Sequence, residues 1–181
     1  MNKIMVVGSS AGAGKSTFAR KLSSVLHLPV HHLDTLFWKP GWIEEDKEIF
    51  IKKQQALAQT EQWIIEGNYN ATFNERLSKA DTIVFIHCPL WRCLYQVVKR
   101  RIMFHGKSRP DLTEGCKEKI DPGFIWFILK TYYPRQKKMK QKLKQFEESS
   151  DQHKVYVLSG QKEMEQFLAA LKEDTSGAGF S

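Results

Sequence analysis

Ten residues near the start of the chain, Gly8-Ser-Ser-Ala-Gly-Ala-Gly-Lys-Ser-Thr17, join small side chains to one lysine and a pair of hydroxyls. This is the equipment for holding phosphate: backbone N–H groups aimed from a helix N-terminus, a lysine on the terminal phosphates, and a hydroxyl on Mg²⁺. Counted from Gly8, the spacing G-x-x-x-x-G-K-[ST] fails by one residue. Counted back from Lys15, it sets Ser10, Ala11, Gly12, Ala13 and Gly14 around the phosphates and leaves Ser9 at the turn usually made by the first glycine, a turn Gly8 is free to share. Lys15 then serves catalysis as well as binding. Ser16 is the expected metal ligand, and Thr17 faces the α-phosphate.

Mg²⁺ keeps an octahedral shell with several waters, so a second acid is expected near Ser16, directly or through water. Glu66, closing the run Trp63-Ile-Ile-Glu66, is one candidate, with a side chain one methylene longer than the commoner Asp; a water-mediated role suits it. Pairing with a structural arginine is the other reading of Glu66. Asp34 is the second acid, better placed to orient or deprotonate an acceptor hydroxyl than merely to cap a loop. Around it, Phe37, Trp38 and Trp42 offer stacking surfaces for a ring, and Asn68 and Tyr69 offer hydrogen bonds. The same tryptophans also suit core or lid packing. His31 and His32 lack metal-ligand spacing and read as strand-end residues.

A transferring phosphoryl group spreads negative charge over its oxygens, which mobile cations neutralise. Arg100, Arg101, Lys107 and Arg109 bracket a glycine-containing stretch, so a basic helical lid is expected over about residues 100–122, with Arg101 and Arg109 in catalytic roles; Arg135 is a further candidate. The charge is uneven. The formal net charge is +8, yet residues 92–144 carry 15 Lys or Arg against four acids, leaving the remainder net negative. Such a segment binds substrate phosphates, binds nucleic acid, or is a solvated face, and Lys137 to Lys144 fits the last.

These groups need a frame. Residues 3–7, 28–33, 63–66, 82–87 and 155–158 read as short buried strands, and 16–26, 44–61, 90–104, 122–148 and 163–172 as helices, with an aromatic loop over 36–42. Residues 90–104 form a basic amphipathic stretch, and Asp121-Pro122 offers a cap and first-turn proline for the long helix. Strands alternating with helices imply a parallel sheet covered on both faces, with ligands beyond the carboxyl ends of its strands. The 181 residues suit a single domain over 1–173, with a small, polar, disordered tail over 174–181. A 41% apolar fraction is globular, and the apolar runs are too short for a membrane span. Three cysteines without a Cys-x-x-Cys pair favour reduced thiols, and the N-terminus has no export leader; the expected location is cytoplasmic, with no membrane partner and the oligomeric state open.

With the loop, two acids and a basic lid in view, the chain resembles bacterial DNA topology modulation proteins, which look like adenylate-kinase-type small P-loop kinases. The likeness spans about residues 3–171 and rests on the glycine loop, His32-Leu-Asp-Thr-Leu-Phe-Trp-Lys-Pro-Gly-Trp42, Trp63-Ile-Ile-Glu-Gly-Asn-Tyr69, Arg100-Arg101 and Gly106-Lys-Ser-Arg-Pro-Asp111. It implies a three-layer α/β P-loop NTPase fold with five parallel strands, ATP and Mg²⁺ as cofactors, and those roles on Lys15, Ser16 and the lid arginines. Adenylate kinases carry an arginine shortly after the third-strand acid to hold the acceptor phosphate; Gly67-Asn-Tyr-Asn-Ala71 has none, so a hydroxylated metabolite is at least as good an acceptor as a nucleoside monophosphate. Three functions stay open: a kinase for an unidentified small molecule, a nucleic-acid-binding ATPase acting on DNA, which is less favoured, and a nucleotide-sensing regulator without turnover.

Overall fold

The computed structural model describes residues 1–104, 112–116 and 121–177, with side chains placed up to residue 174. The order along the chain is β1 (Lys3–Gly8), α1 (Lys15–Leu26), β2 (Val30–His32), α2 (Leu33–Phe37), β3 (Trp38–Lys39), β4 (Ile43–Glu44), α3 (Lys47–Gln59), β5 (Trp63–Glu66), α4 (Phe73–Leu77), β6 (Thr82–His87), α5 (Leu90–Met103), α6 (Pro122–Glu148), β7 (Lys154–Ser159) and α7 (Gly160–Gly177). Five strands form one sheet in the order β2-β5-β1-β6-β7, every pair parallel.

Alternation along each strand builds the two sides of the sheet. Ile4 and Val6 of β1, with Val84 and Ile86 of β6, pack with Phe18, Ala19 and Leu22 of α1 and Leu168 of α7. Met5, Val7, Ile83 and Phe85 point the other way, into Phe50 and Ala58 of α3, Phe73 of α4, and Met139, Leu143 and Phe146 of α6. Three layers follow, with β1 central and buried on both faces. This is the α/β architecture the strand and helix spacing implies.

Several local expectations change. The second strand stops at His32, because Leu33 to Phe37 coil into a helical turn that carries Asp34 in its first turn. The expected aromatic loop is instead this turn plus the β3–β4 hairpin. Its bend is built by Pro40 and by Gly41 at φ 81°, with Trp42 N–H donating to the Lys39 carbonyl at 3.1 Å, as a proline–glycine turn requires. The last helix runs on to Gly177, so the expected tail loses its first four residues to α7, while residues 178–181 lie outside the described residues. Asp121 caps α6 as expected, accepting from Phe124 N–H at 2.8 Å. Among the described residues, no helix is long and apolar enough to cross a membrane.

Candidate functional site

The loop between β1 and α1 is fixed from three sides. Gly12 and Gly14 take positive φ, 78° and 91°, a region in which a side chain is strained. At Gly12 there is also no room: a Cβ would lie 2.3 Å from the Cys93 carbonyl oxygen, because α5 packs on the loop. Gly8 is needed for closeness rather than for its dihedral. A Cβ there would come 3.0 Å from both the Ile86 carbonyl oxygen and Lys15 Cγ, so the lysine stem lies directly over it. The Lys15 ammonium then donates to the Ser10 carbonyl at 3.0 Å, arched above the loop.

Ser9 explains why the turn position carries a hydroxyl. Its N–H donates to the Ile86 carbonyl at 3.0 Å. Its Oγ accepts from Cys88 N–H at 3.1 Å and from Gln136 Nε2 at 3.2 Å. A glycine would make the turn but not this pin between β1, the end of β6 and α6. Tyr132 adds a second tie from α6 to the same place, its hydroxyl donating to the Cys88 carbonyl at 2.7 Å.

Asn68 reaches back to Gly8. Its Nδ2 donates to the Gly8 carbonyl at 2.9 Å and its Oδ1 accepts from Gly8 N–H at 3.0 Å. The carboxamide thus holds the strand exit at both its oxygen and its nitrogen.

The carboxyl ends of β2 and β5 converge because His32 pairs with Glu66 in register, and Val6 pairs with Glu66 from the other side. The buried Glu66 Oε2 lies 3.1 Å from Ser16 Oγ, which donates to it, and 2.9 Å from His32 Nδ1. The two expected metal-side residues are therefore neighbours. His32 closes β2 as the strand-end residue the sequence suggests, and it is also a partner of Glu66. Gly67, at φ 140°, leaves 2.9 Å between a would-be Cβ and that of Leu33, and so lets α2 close against β5.

That closure brings Asp34 to Tyr69, whose hydroxyl donates to Asp34 Oδ1 at 2.7 Å. Burial first, and then the charge of Asp34, push the Tyr69 phenol upward, so it stays a neutral donor. Around the pair, Phe37 sits 4.9 Å from Trp38, 5.0 Å from Phe50 and 5.1 Å from Tyr69, centroid to centroid, and Trp38 sits 5.2 Å from Trp42. The aromatic residues thus form one wall. Glu45, taking Lys39 at 2.6 Å and Lys53 at 2.7 Å, ties the hairpin behind it to α3, and these two partners hold its carboxyl down at about 2.

Arg76 escaped the sequence reading because Phe73-Asn-Glu-Arg-Leu77 looks like an ordinary amphipathic turn. It is fully buried, and its Nη1 donates to the Gly67 carbonyl at 2.9 Å, with Nη2 3.5 Å from the Asn68 and Tyr69 carbonyls. Burial lowers it to about 10, opposed by Glu66 and Tyr69, so it remains a cation at neutral pH. One guanidinium thereby holds the whole turn that carries Asn68 and Tyr69.

On the other side of the loop lies a cleft of about 240 Å³. It is lined by Gly12, Ala13, Gly14 and Thr17 from the loop and α1, by Arg92 and Gln96 of α5, and by Gly160, Gln161 and Met164 of α7. Gly160 opens α7 at φ 83°. The α5 and α7 walls were not anticipated, since nothing in their local sequence marks them. Arg92 and Lys15 also act on Cys88, whose thiol is drawn down to about 7 by Cys93 first and then by these cations. Arg135 lines a smaller recess with Gly8, Ser9, Asn68 and Asn70. Arg100 and Arg101 occupy the last turn of α5. Lys107 and Arg109, and with them the middle of the expected lid, lie outside the described residues.

Among the described residues, no group of three or more His, Cys, Asp or Glu could hold a metal by itself. A Mg²⁺ that takes one hydroxyl, one acid through water, and phosphate oxygens asks for less, and the all-oxygen pair Ser16 and Glu66 fits it.

No family model matches the chain, and no curated protein does, so the narrower resemblance to DNA topology modulation proteins gains no such support. Solved structures do match. A shikimate kinase from Acinetobacter baumannii in complex with shikimate is 13% identical over 100% of this chain and 97% of that one, at a TM-score of 0.51. A gluconokinase from Sinorhizobium meliloti 1021 is 16% identical over 98% and 97%, at 0.52. A shikimate kinase from Aquifex aeolicus vf5 is 18% identical over 96% and 98%, at 0.50. At such identities the likeness is one of fold: the chain has the five-stranded parallel architecture of the small P-loop kinases.

Proposed function

We propose that the chain is a small-molecule kinase, moving the γ-phosphoryl group of ATP to a hydroxyl held beside Asp34. The observation that carries this reading is the convergence of two polar pairs at neighbouring strand ends, Ser16–Glu66 next to the glycine loop and Asp34–Tyr69 beyond it. A nucleotide-binding regulator needs the first pair; only transfer to an acceptor gives the second one work.

In this reading the loop amides from Ser10 to Thr17 and the Lys15 ammonium hold the phosphates, while the base and sugar occupy the cleft between Thr17, Arg92, Gly160 and Met164. Ser16, with Glu66 through water, would hold Mg²⁺, which when bound neutralises charge on the β- and γ-phosphate oxygens. His32 keeps the Glu66 carboxylate turned toward Ser16. Asp34 takes the acceptor's hydroxyl proton as its oxygen bonds to the γ-phosphorus and the bond to the bridging oxygen breaks, releasing ADP. Tyr69 orients Asp34 by donating to Oδ1 at 2.7 Å. Arg101 and Arg109 are assigned to the equatorial oxygens. Trp38 and its aromatic neighbours wall the acceptor, and Arg135, which lines the small recess with Gly8, Asn68 and Asn70, is the cation assigned to an anionic group on it. The solved structures of like fold named above are a shikimate kinase and a gluconokinase, in keeping with a small-molecule acceptor.

The test is ATP consumption across pools of hydroxylated metabolites, with Lys15→Ala as the blank. The expected result is one pool raising turnover in the native chain alone; no pool raising it removes the kinase reading.

A further inference from the structure

Helices α5 and α6 pack against one another, and each buries one face and leaves an apolar stripe on the opposite one. On α5 the exposed residues are Trp91, Tyr95, Val98 and Ile102, at the i, i+4, i+7, i+11 spacing of a single helix face, with Trp91 70% and Ile102 73% exposed. On α6 the exposed face carries Trp126 and Tyr133, again more than half exposed. Exposed apolar residues scattered singly are ordinary; an in-phase row on a helix is not. The charge on the two helices is mostly of one sign, with Asp121 capping the start of α6. The two helices hold eleven Lys or Arg and two acids, Glu147 and Glu148, both in the final turn of α6, far along the helix from the stripe.

We infer that this face docks on an anionic lipid surface. A second copy of the chain, meeting the same patch across a two-fold axis, would set cations against cations. A nucleic acid would match the charge, yet Val98 and Ile102 offer it nothing, since neither stacks on a base nor binds phosphate. A bilayer with acidic headgroups takes both parts. Ile102 and Val98 enter the acyl boundary, Trp91, Tyr95, Trp126 and Tyr133 sit at headgroup depth with their polar edges wet, and Lys99 and Lys130 reach the phosphates. Because α5 also walls the cleft through Arg92 and Gln96 and lies on Gly12, the membrane-facing helix is the one that closes the nucleotide side. The inference goes beyond the kinase reading and stands without it.

The experiment is co-sedimentation of the full chain with phosphatidylcholine vesicles, with and without phosphatidylglycerol, alongside duplex DNA binding and light scattering. Binding is expected only with phosphatidylglycerol, falling about fivefold for Lys130→Glu and on the order of tenfold for Ile102→Glu. Brominated phosphatidylglycerol should quench tryptophan fluorescence in the native chain and not in the Trp91→Phe/Trp126→Phe double variant. Ile102 is solvent-exposed, so its variant keeps the fold, which an unchanged thermal transition confirms. Absence of vesicle binding, binding unaffected by Ile102→Glu, or a dimer that Ile102→Glu dissociates would each overturn the inference. Duplex DNA binding that Ile102→Glu abolishes would overturn it as well.

Discussion

The two sides of the site are built from different materials. On the proposed nucleotide side, backbone does the holding: Gly12 and Gly14 set the path, Gly8 admits the lysine stem, and the Ser9 hydroxyl pins the loop to the end of β6. On the proposed acceptor side, side chains do it. Asp34 comes from a five-residue helix, Tyr69 from a turn held by the buried Arg76, and the aromatic wall from a hairpin tied down by Glu45. A backbone site tolerates changes in neighbouring chemistry but not an added Cβ. A side-chain site tolerates added bulk at its edge but not the loss of a supporting partner.

The contrast can be broken from either side. Arg76→Met should have the largest effect on stability, about 3 kcal/mol in chemical denaturation, because the buried Gly67 carbonyl loses its guanidinium donor and the Asn68–Tyr69 turn loses its longer contacts. Gly12→Ala should follow at about 2 kcal/mol, from positive φ and contact with Cys93, and should weaken ATP binding in calorimetry while sparing the aromatic wall. Were Gly12→Ala to bind ATP normally, the loop would not be backbone-limited. Tyr69→Phe should leave ATP affinity unchanged and lower transfer by about tenfold, the worth of one charge-assisted hydrogen bond. An equal loss in ATP affinity would show that the two sides are not separable.

The smallest effect is in acid. Glu45 is held at about 2 in the fold against an ordinary value of 4.5, so its contribution to stability is complete above about 4.5 and is lost as the pH falls toward 2. Glu45→Gln should therefore lessen the pH dependence of stability within that window only, read as the midpoint of denaturation.

The same division explains what the sequence disclosed. The loop was legible because its path depends on spacing and on residues too small to intrude, and the central strands were legible because β5 and β6 carry the apolar runs Trp63-Ile-Ile65 and Ile83-Val-Phe-Ile86. The acceptor side was half legible. Asp34 and Tyr69 were identifiable by type, but their meeting depends on Gly67 admitting Leu33, a contact between segments 34 residues apart. The Asn68 clamp on Gly8 was not legible, because a carboxamide that holds backbone looks the same in sequence as one that does not. Arg76 and the pairing of His32 with Glu66 were missed because burial of a charged or polar side chain is a property of the fold, and the α7 wall because Gly160 and Met164 bear no mark of a pocket.

The most direct test is Asp34→Asn, assayed for ATP binding and for acceptor-dependent transfer in the same preparation. The account predicts ATP affinity within about twofold of the native chain and transfer lower by about a thousandfold, the scale of a lost general base. Transfer at the native rate, or loss of ATP binding in step with it, would contradict the assignment of Asp34 to the acceptor.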